Sequence, residues 1–164
     1  MVFNDLFCLS HPEVHTLSLG VAKPQDFDEH LKTLELVDRA SEILPLILVR
    51  LESEAIATLG EDWVKTWQTN LPALEKTPGE VNIRVILWLW NLAIAYDLVD
   101  YAKMRYNLLG NGSHWFPGNK GDRLDQLDLR QCLVHSPHAD KIPHIMEQAD
   151  KLLASAEVKR LSQS

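Results

Sequence analysis

The strongest constraint on the fold is a long amphipathic stretch near the middle of the chain. Its apolar residues recur at alternating steps of three and four, which places them on one stripe of a helix. They are Val85, Trp88, Leu92, Ala95, Val99, Ala102, Tyr106 and Leu109. Gly110 follows the stripe, and a glycine just past the last helical turn adopts a positive φ without steric cost. The sequence therefore predicts one central helix of about 40 Å in a mainly α-helical fold.

The composition restricts the class of protein. The chain has 164 residues, of which 46% are hydrophobic, and this is enough for one domain with a core. A formal net charge of -7, without any cluster of Lys and Arg, argues against a nucleic-acid partner and against an anionic membrane surface. The longest apolar run, Val85 to Tyr96, is shorter than the roughly 20 residues that cross a bilayer. With two cysteines and no signal-peptide pattern, we predict a cytoplasmic protein without disulfides.

The N-terminal part contains the one predicted β-strand. An amphipathic helix over Phe3 to Leu9 is expected to end before His11-Pro12. Val14 to Leu19 is short, β-prone and bounded by turn residues, so we predict a strand that ends at Gly20. A single strand cannot satisfy its own backbone hydrogen bonds. We therefore expect it to pair with a partner, either the remainder of a larger protein or a second copy of this chain.

Five further helices are predicted around this strand and the central helix. One begins at Pro24, presents Phe27, Leu31 and Leu34 on one face and runs to about Val37. The others follow from turn and capping signals. They are a helix with Pro45 in its first turn that ends at Gly60, a short helix over 61–68, a short helix after Asp122 and a last helix from about Lys141.

Two proline-containing turns repeat at a constant offset. Thr77-Pro78 is followed by isoleucines at positions 83 and 86, and Ser136-Pro137 is followed by isoleucines at positions 142 and 145. The same 59 residues separate each pair of matching positions. This pattern is consistent with an internal repeat of one short structural unit.

A resemblance to the aldo/keto reductase family covers nearly the whole chain. The segment LSHPEVHTLSLGVAKPQDFDEHL resembles the closing α-β-α unit of the reductase (β/α)8 barrel. The remainder resembles the helical C-terminal extension of those reductases that carry ferredoxin-like iron-sulfur motifs. Its most specific part is VNIRVILWLWNLAIAYDLVDYAKMRYNLLGNGSHWFPG. The resemblance implies that residues 1–38 are a fragment of the last barrel unit, that residues 39–164 are a ferredoxin-like helical extension, and that the chain is the C-terminal piece of a longer enzyme.

The resemblance also implies positions that would contact NADP(H) in a complete barrel. In the family, a loop after the last strand and the following helix hold the adenosine end of the cofactor. The matching positions in this chain are Gly20, Val21, Ala22, Lys23, Glu29 and His30. Asp26 departs from the family pattern, because a carboxylate repels a 2′-phosphate. Lys23 would then have to supply the attraction.

No catalytic residue is carried over from the family. The reductase Asp, Tyr, Lys and His lie on early barrel strands that this chain does not contain. Tyr96, Tyr101 and Tyr106 lie on the central helix, where aromatic residues at helical spacing are typical of a core. We therefore expect the chain to be catalytically incomplete alone and to bind no cofactor alone.

The ligand positions of the iron-sulfur motifs are almost all substituted. A [4Fe–4S] cluster needs four thiolates, commonly in the spacing Cys-x2-Cys-x2-Cys-x3-Cys-Pro. The first set of positions here is Trp67, Asn70, Ala73 and Thr77, and the second is Gln126, Leu129, Cys132 and Ser136. With one cysteine in eight positions, we predict a ferredoxin-like framework without clusters, in which tryptophans fill the vacated volume.

Two alternatives to this interpretation are weighed. Cys132, His135, His138 and His144 could ligate zinc, but their spacing fits neither a helical pair nor a zinc knuckle, so no metal site is predicted. His114 and Trp115 could line a pocket, although packing of this loop against the central helix is favoured. As a function of a different class, the chain could be an independent helical module that binds a protein partner.

Overall fold

The structure is a computed structural model that describes residues 2–111 and 116–155. Within these ranges the chain is mainly α-helical, as predicted, and forms no strand. The α-helices are α1 Val2–Leu9, α2 Gln25–Leu31, α3 Ala40–Leu59, α4 Glu61–Thr66, α5 Ile83–Tyr96, α6 Val99–Tyr106, α7 Arg130–Leu133 and α8 Ile142–Leu153. Short 3₁₀ helices lie at Val37–Arg39, Leu74–Lys76, Pro78–Glu80 and Leu124–Gln126.

The chain divides into two compact units, Met1–Ser53 and Glu54–Ser164. We predicted a boundary between residues 38 and 39 from the family resemblance. The division found here falls inside α3, a helix that begins five residues before Pro45, so that this proline lies in the second turn and not in the first turn as predicted. The end of this helix before Gly60 agrees with the prediction, because Gly60 has a φ of 87°.

The first unit has a small core and a large exposed apolar surface. Leu6, Ala40 and Leu44 are its buried core residues. The predicted apolar face of α2 is exposed, with 53% of Phe27, 57% of Leu31 and 66% of Leu34 accessible to solvent. Other large apolar residues of this unit are also exposed, namely Phe7, Leu19, Val21, Val37, Leu46, Leu48, Val49 and Leu51. Large exposed apolar patches on soluble proteins commonly mark interaction sites, so these residues are candidates for contact with a partner.

The strand predicted over Val14 to Leu19 is absent. Residues 14–21 lie in no helix, turn or bend, and they pair with no other strand in the described part of the chain. A β-strand is identified by its backbone hydrogen bonds to a neighbouring strand, and the described residues of the first unit provide no such neighbour. The helix after Pro24 is also shorter than predicted, since α2 ends at Leu31 and turns follow up to the 3₁₀ helix Val37–Arg39.

The second unit has an extensive core around α5, which contacts both α6 and α8. Ile86, Leu87 and Leu89 of α5 are fully buried. On α8, which begins one residue after the predicted position, Ile142, Met146, Ala149 and Leu153 are fully buried. Each large aliphatic side chain buried in this way contributes about 1.5–3 kcal/mol of favourable transfer free energy.

The predicted central helix is in fact two helices. Asp97 adopts the left-handed conformation with a φ of 54°, which ends α5. The Leu92 carbonyl accepts hydrogen bonds from the backbone N–H groups of Asp97 and Leu98. A left-handed residue at this position is the usual way to close a helix, although glycine is more common there. The prediction of one helix of about 40 Å is therefore wrong.

A parallel bridge between Val81 and Asn119 joins the turn before α5 to the segment after α6. Asn82 caps α5, because its side-chain oxygen accepts from the Val85 N–H at 3.0 Å, and its amide donates to the Pro117 carbonyl at 2.7 Å. Beyond this bridge, the short helix predicted after Asp122 is replaced by the 3₁₀ helix Leu124–Gln126 and α7, because Leu127 between them is extended.

Candidate functional site

The predicted cofactor loop is closed by a carboxylate from α2. The backbone N–H groups of Ala22 and Lys23 both donate to Asp26 Oδ2, at 2.8 and 3.0 Å. These two hydrogen bonds are the main reason that the pKa of Asp26 is lowered below its ordinary value, since they stabilise the charged carboxylate. Gly20 and Val21, just before them, are exposed.

This geometry does not present a phosphate site in the chain as it stands. The backbone amides that would bind a phosphate already bind the Asp26 carboxylate, which also carries the same sign of charge. A β-carbon on Gly20 would meet nothing within 4 Å, so the loop has room for a ligand on that side. The residues therefore do not fit NADP(H) in this conformation.

The two predicted cofactor positions on α2, Glu29 and His30, lie in different environments. Glu29 is on the surface, where its carboxylate accepts a hydrogen bond from Lys32 Nζ, and this contact raises the pKa of Lys32. His30 turns into the unit, and 9% of its side chain is exposed. The structure therefore brings Gly20 to Lys23 together with Asp26 but leaves Glu29 and His30 without a common ligand-facing surface.

A buried polar group on α1 and α2 was not anticipated from the sequence. His30 Nδ1–H donates to Asp5 Oδ2, and the buried Thr33 Oγ1 lies 3.5 Å from the same oxygen. His30 Nε2 is buried and has no hydrogen-bond partner in the described part of the chain. The available signal was Asp5 itself, the single charged residue in the apolar helix VFNDLFCL.

This polar group lies at one side of an apolar cavity of about 270 Å³ in the first unit. Its apolar lining comes from α1, the segment 14–21, α2 and the turn after α2, and consists of Leu9, Leu17, Leu19, Phe27, Leu31 and Leu34. An apolar cavity with one polar side is able to accept an apolar surface that covers it.

Each proline-containing turn lies close to residues from the region of the other turn in the second unit. Asn70 Nδ2 donates to the His135 carbonyl at 3.1 Å, which joins the first set of cluster positions to the residue before Ser136-Pro137. A β-carbon on Gly79 would lie 3.2 Å from Leu127 Cδ1, so the residue after Thr77-Pro78 lies against the neighbour of Gln126, a position of the second set. The first contact involves a ligand position itself, and the second involves the residue next to one.

His138 and Cys132, two of the four possible zinc ligands, make other contacts. Thr66 Oγ1 donates a hydrogen bond to the Asp62 carbonyl and accepts one from the His138 Nε2–H group at 2.8 Å. The His138 ring also packs on Trp63 with centroids 4.9 Å apart. Burial raises the pKa of the Cys132 thiol, which disfavours a metal-binding thiolate. No group of three or more His, Cys, Asp or Glu side chains with metal-binding geometry occurs within residues 2–111 and 116–155.

His114 and Trp115, which were predicted to pack against the central helix, lie outside the described residues. In the described ranges, none of the helices has the length and apolar character needed to cross a membrane. Comparison of the chain with protein-family models, with curated proteins and with solved structures gives no match.

Proposed function

We propose that this chain is the C-terminal part of an aldo/keto reductase-like, NADP(H)-dependent oxidoreductase and is catalytically incomplete without the barrel. The observation that carries the proposal is the incomplete first unit, in which residues 14–21 have no strand partner and the apolar face of α2 is exposed. In a (β/α)8 barrel, a strand pairs on both sides and the following helix packs on the sheet. A barrel would therefore supply what this unit lacks.

The cofactor site of the proposed enzyme also requires the barrel strands that this chain lacks. Neighbouring barrel strands would form hydrogen bonds with the backbone of residues 14–21. This pairing would reposition the loop whose Ala22 and Lys23 amides now bind Asp26. Lys23 is the one cation of this loop and would attract the 2′-phosphate of NADP(H). We assign it no catalytic role, since the proton donor and its partners would come from the barrel.

The crosswise contacts support a ferredoxin-like framework in the second unit. In two-cluster ferredoxins, the fourth cysteine of each motif ligates the cluster of the other motif. Such a fold requires the turn that ends each motif to lie beside the first three positions of the other. The contact of Asn70 with His135 follows this pattern, and Gly79 contacts Leu127, the residue next to Gln126 of the second set.

Restoring one ligand set tests the framework. A variant with Trp67→Cys, Asn70→Cys, Ala73→Cys and Ser136→Cys supplies three thiolates from one motif and the fourth from the other turn. We expect this variant to assemble a [4Fe–4S] cluster on anaerobic reconstitution, detected by iron and sulfide content. A matched variant with Thr77→Cys in place of Ser136→Cys should not. A folded first variant without a cluster, or assembly by the second, would contradict the framework.

The proposed function is tested by the DNA upstream of this reading frame. We expect it to encode, in some frame, a barrel half with the reductase Tyr and Lys, and co-expression of that half should give a complex that oxidises NADPH with an aldehyde. In that complex, Lys23→Ala should raise the KM for NADPH about tenfold, because a charged hydrogen bond is lost. Lys32→Ala, which removes the partner of Glu29, should change it little.

A second candidate function is an independent helical module that binds a protein partner. The observation that favours it is the extensive core of the second unit, which is formed by residues of this unit itself. An unrelated upstream gene, with a promoter between it and this frame, would support the module and contradict the reductase.

A further inference from the structure

The segment 14–21 resembles an edge strand whose backbone groups have no neighbouring strand to bind. It runs without a turn or a bend, and most of its residues are exposed. Within the described residues, the backbone groups of positions 15–21 make no hydrogen bond; the nearest such contacts are at Val14 and Ala22. A row of unpaired N–H and C=O groups is a template for a strand from another chain.

One side of this segment lines the apolar cavity of the first unit. Leu17 and Leu19 both line the cavity beside Phe27 and Leu31. Positions two apart lie on the same side of an extended chain, so His15 and Val21 share that side with the two leucines. A strand that pairs here must place apolar residues on the same side to extend this surface.

The segment is complementary to itself in one register. Antiparallel pairing about a two-fold axis at Ser18 places Leu17 opposite Leu19 of the second copy, so that four leucines meet on the cavity side. The same register places Glu13 opposite Lys23 at both ends. Opposite charges and apolar pairs at facing positions stabilise antiparallel strands by about 0.2–1 kcal/mol each. Parallel in-register pairing would instead place Glu13 against Glu13 and Lys23 against Lys23.

We propose that two copies of this chain form a symmetric dimer through antiparallel pairing of residues 14–21 about Ser18. The dimer satisfies the backbone groups that one chain leaves unpaired and enlarges the apolar surface beside the cavity. Its interface is isologous, as in most soluble dimers, because each copy contributes the same segment. The proposal concerns the chain without a barrel and does not depend on the proposed reductase function.

Disulfide trapping tests both the interface and its register. In a background with Cys8→Ala and Cys132→Ala, the Ser18→Cys variant places the two thiols across the axis, where facing β-carbons are about 4.5–5.5 Å apart. We expect it to form an intermolecular disulfide under mild oxidation. The matched control is Thr16→Cys on the same side of the segment. Its two thiols would be four positions apart along the ladder, or about 13 Å, which is too far for a disulfide.

Charge reversal and mass measurement complete the test. Light scattering on the wild-type chain should give twice its mass of 18.7 kDa. Glu13→Lys should weaken the dimer at least about threefold, since it sets like charges opposite each other, and the double variant with Lys23→Glu should restore it. Circular dichroism checks that each variant is folded. A monomeric wild type at 100 μM or higher, or equal cross-linking of the Ser18→Cys and Thr16→Cys variants, would overturn the proposal.

Discussion

Gly118 occupies a position where both the backbone and its neighbours exclude a side chain. Its φ is 85°, and a β-carbon there would lie 2.6 Å from Leu74 Cδ1 and 2.7 Å from the Glu80 carbonyl oxygen. Positive φ costs a β-carbon roughly 1–2 kcal/mol, and the clash adds roughly 1–3 kcal/mol. We expect Gly118→Ala to lower the free energy of unfolding by about 2–5 kcal/mol in urea denaturation.

Gly60 provides the matched control for this prediction. Its φ of 87° is nearly the same, but a β-carbon there would meet nothing within 4 Å. Gly60→Ala should therefore show a backbone cost alone, and because its ψ of 142° lies outside the left-handed helical region, this cost is about 1–3 kcal/mol. Equal effects of the two substitutions would show that the contacts of Gly118 contribute nothing.

Tyr106 links α6, α8 and the segment after the parallel bridge through one hydroxyl group. Its OH donates to Asp150 Oδ1 at 2.6 Å and accepts from the Gly121 N–H at 3.0 Å. Tyr106→Phe would leave the buried Gly121 amide without an acceptor. We expect a loss of about 1–3 kcal/mol in the free energy of unfolding at neutral pH.

The same hydroxyl makes stability depend on alkaline pH. Burial, and then the hydrogen bond to Asp150, raise the pKa of Tyr106 above its ordinary value. The unfolded chain then releases this proton near pH 10, while the folded chain retains it. The contribution of Tyr106 to the free energy of unfolding is therefore fully present below pH 10 and falls as the pH rises further. Urea denaturation from pH 9 to pH 11 should show a smaller decline for Tyr106→Phe than for the wild type. Identical slopes would contradict this assignment.

At the level of elements, the break between α5 and α6 depends on one exposed aspartate. Asp97 adopts a left-handed conformation that glycine takes at lower cost. Asp97→Gly should raise the free energy of unfolding by roughly 0.5–1 kcal/mol, and Asp97→Val, which is β-branched, should lower it by at least about 1 kcal/mol. Thermal unfolding of the two variants measures both effects. If both substitutions destabilise equally, the left-handed conformation is not what sets the break.

The sequence predicts the apolar faces of this region better than its backbone path. Ala102 and Tyr106 of the predicted stripe are buried on α6, whereas on α5 Ile86, Leu89 and Ala93, which lie outside that stripe, are also buried. The turn at Asp97 separates the two helices, yet the three-and-four spacing of the stripe continues through it. Because aspartate is only a weak signal for a left-handed residue, periodicity alone predicts a single helix.

The candidate site was harder to predict because its key contacts are not local. The sequence identifies Asp26 as a departure from the family pattern, but not that its carboxylate binds the Ala22 and Lys23 amides. The burial of His30 depends on Asp5, which lies 25 positions earlier on another helix. Neither contact follows from spacing, since both depend on how α1, α2 and the loop pack together.

On the scale of the whole molecule, the two units differ in how much apolar surface they bury. The core of the second unit includes fully buried residues from α5, α6 and α8, whereas the first unit buries Leu6, Ala40 and Leu44. Local stability follows the number of buried apolar contacts. Backbone amides of α2 should therefore exchange with solvent through openings of about 2 kcal/mol or less. Amides of α5 should need openings close to the global free energy of unfolding.

Hydrogen exchange with mass spectrometry on dilute protein measures this difference, and two core variants assign it. Leu44→Ala should increase exchange in α1 and α2 and leave α5 unchanged, whereas Leu153→Ala should increase exchange in α5 and α8. Each removes a buried leucine side chain, which costs about 2–5 kcal/mol in the core that contains it. Raising the protein concentration should slow exchange at residues 15–21 as copies pair through this segment. Equal protection of α2 and α5 in the dilute wild type would mean that the first unit needs no partner to cover its exposed apolar residues.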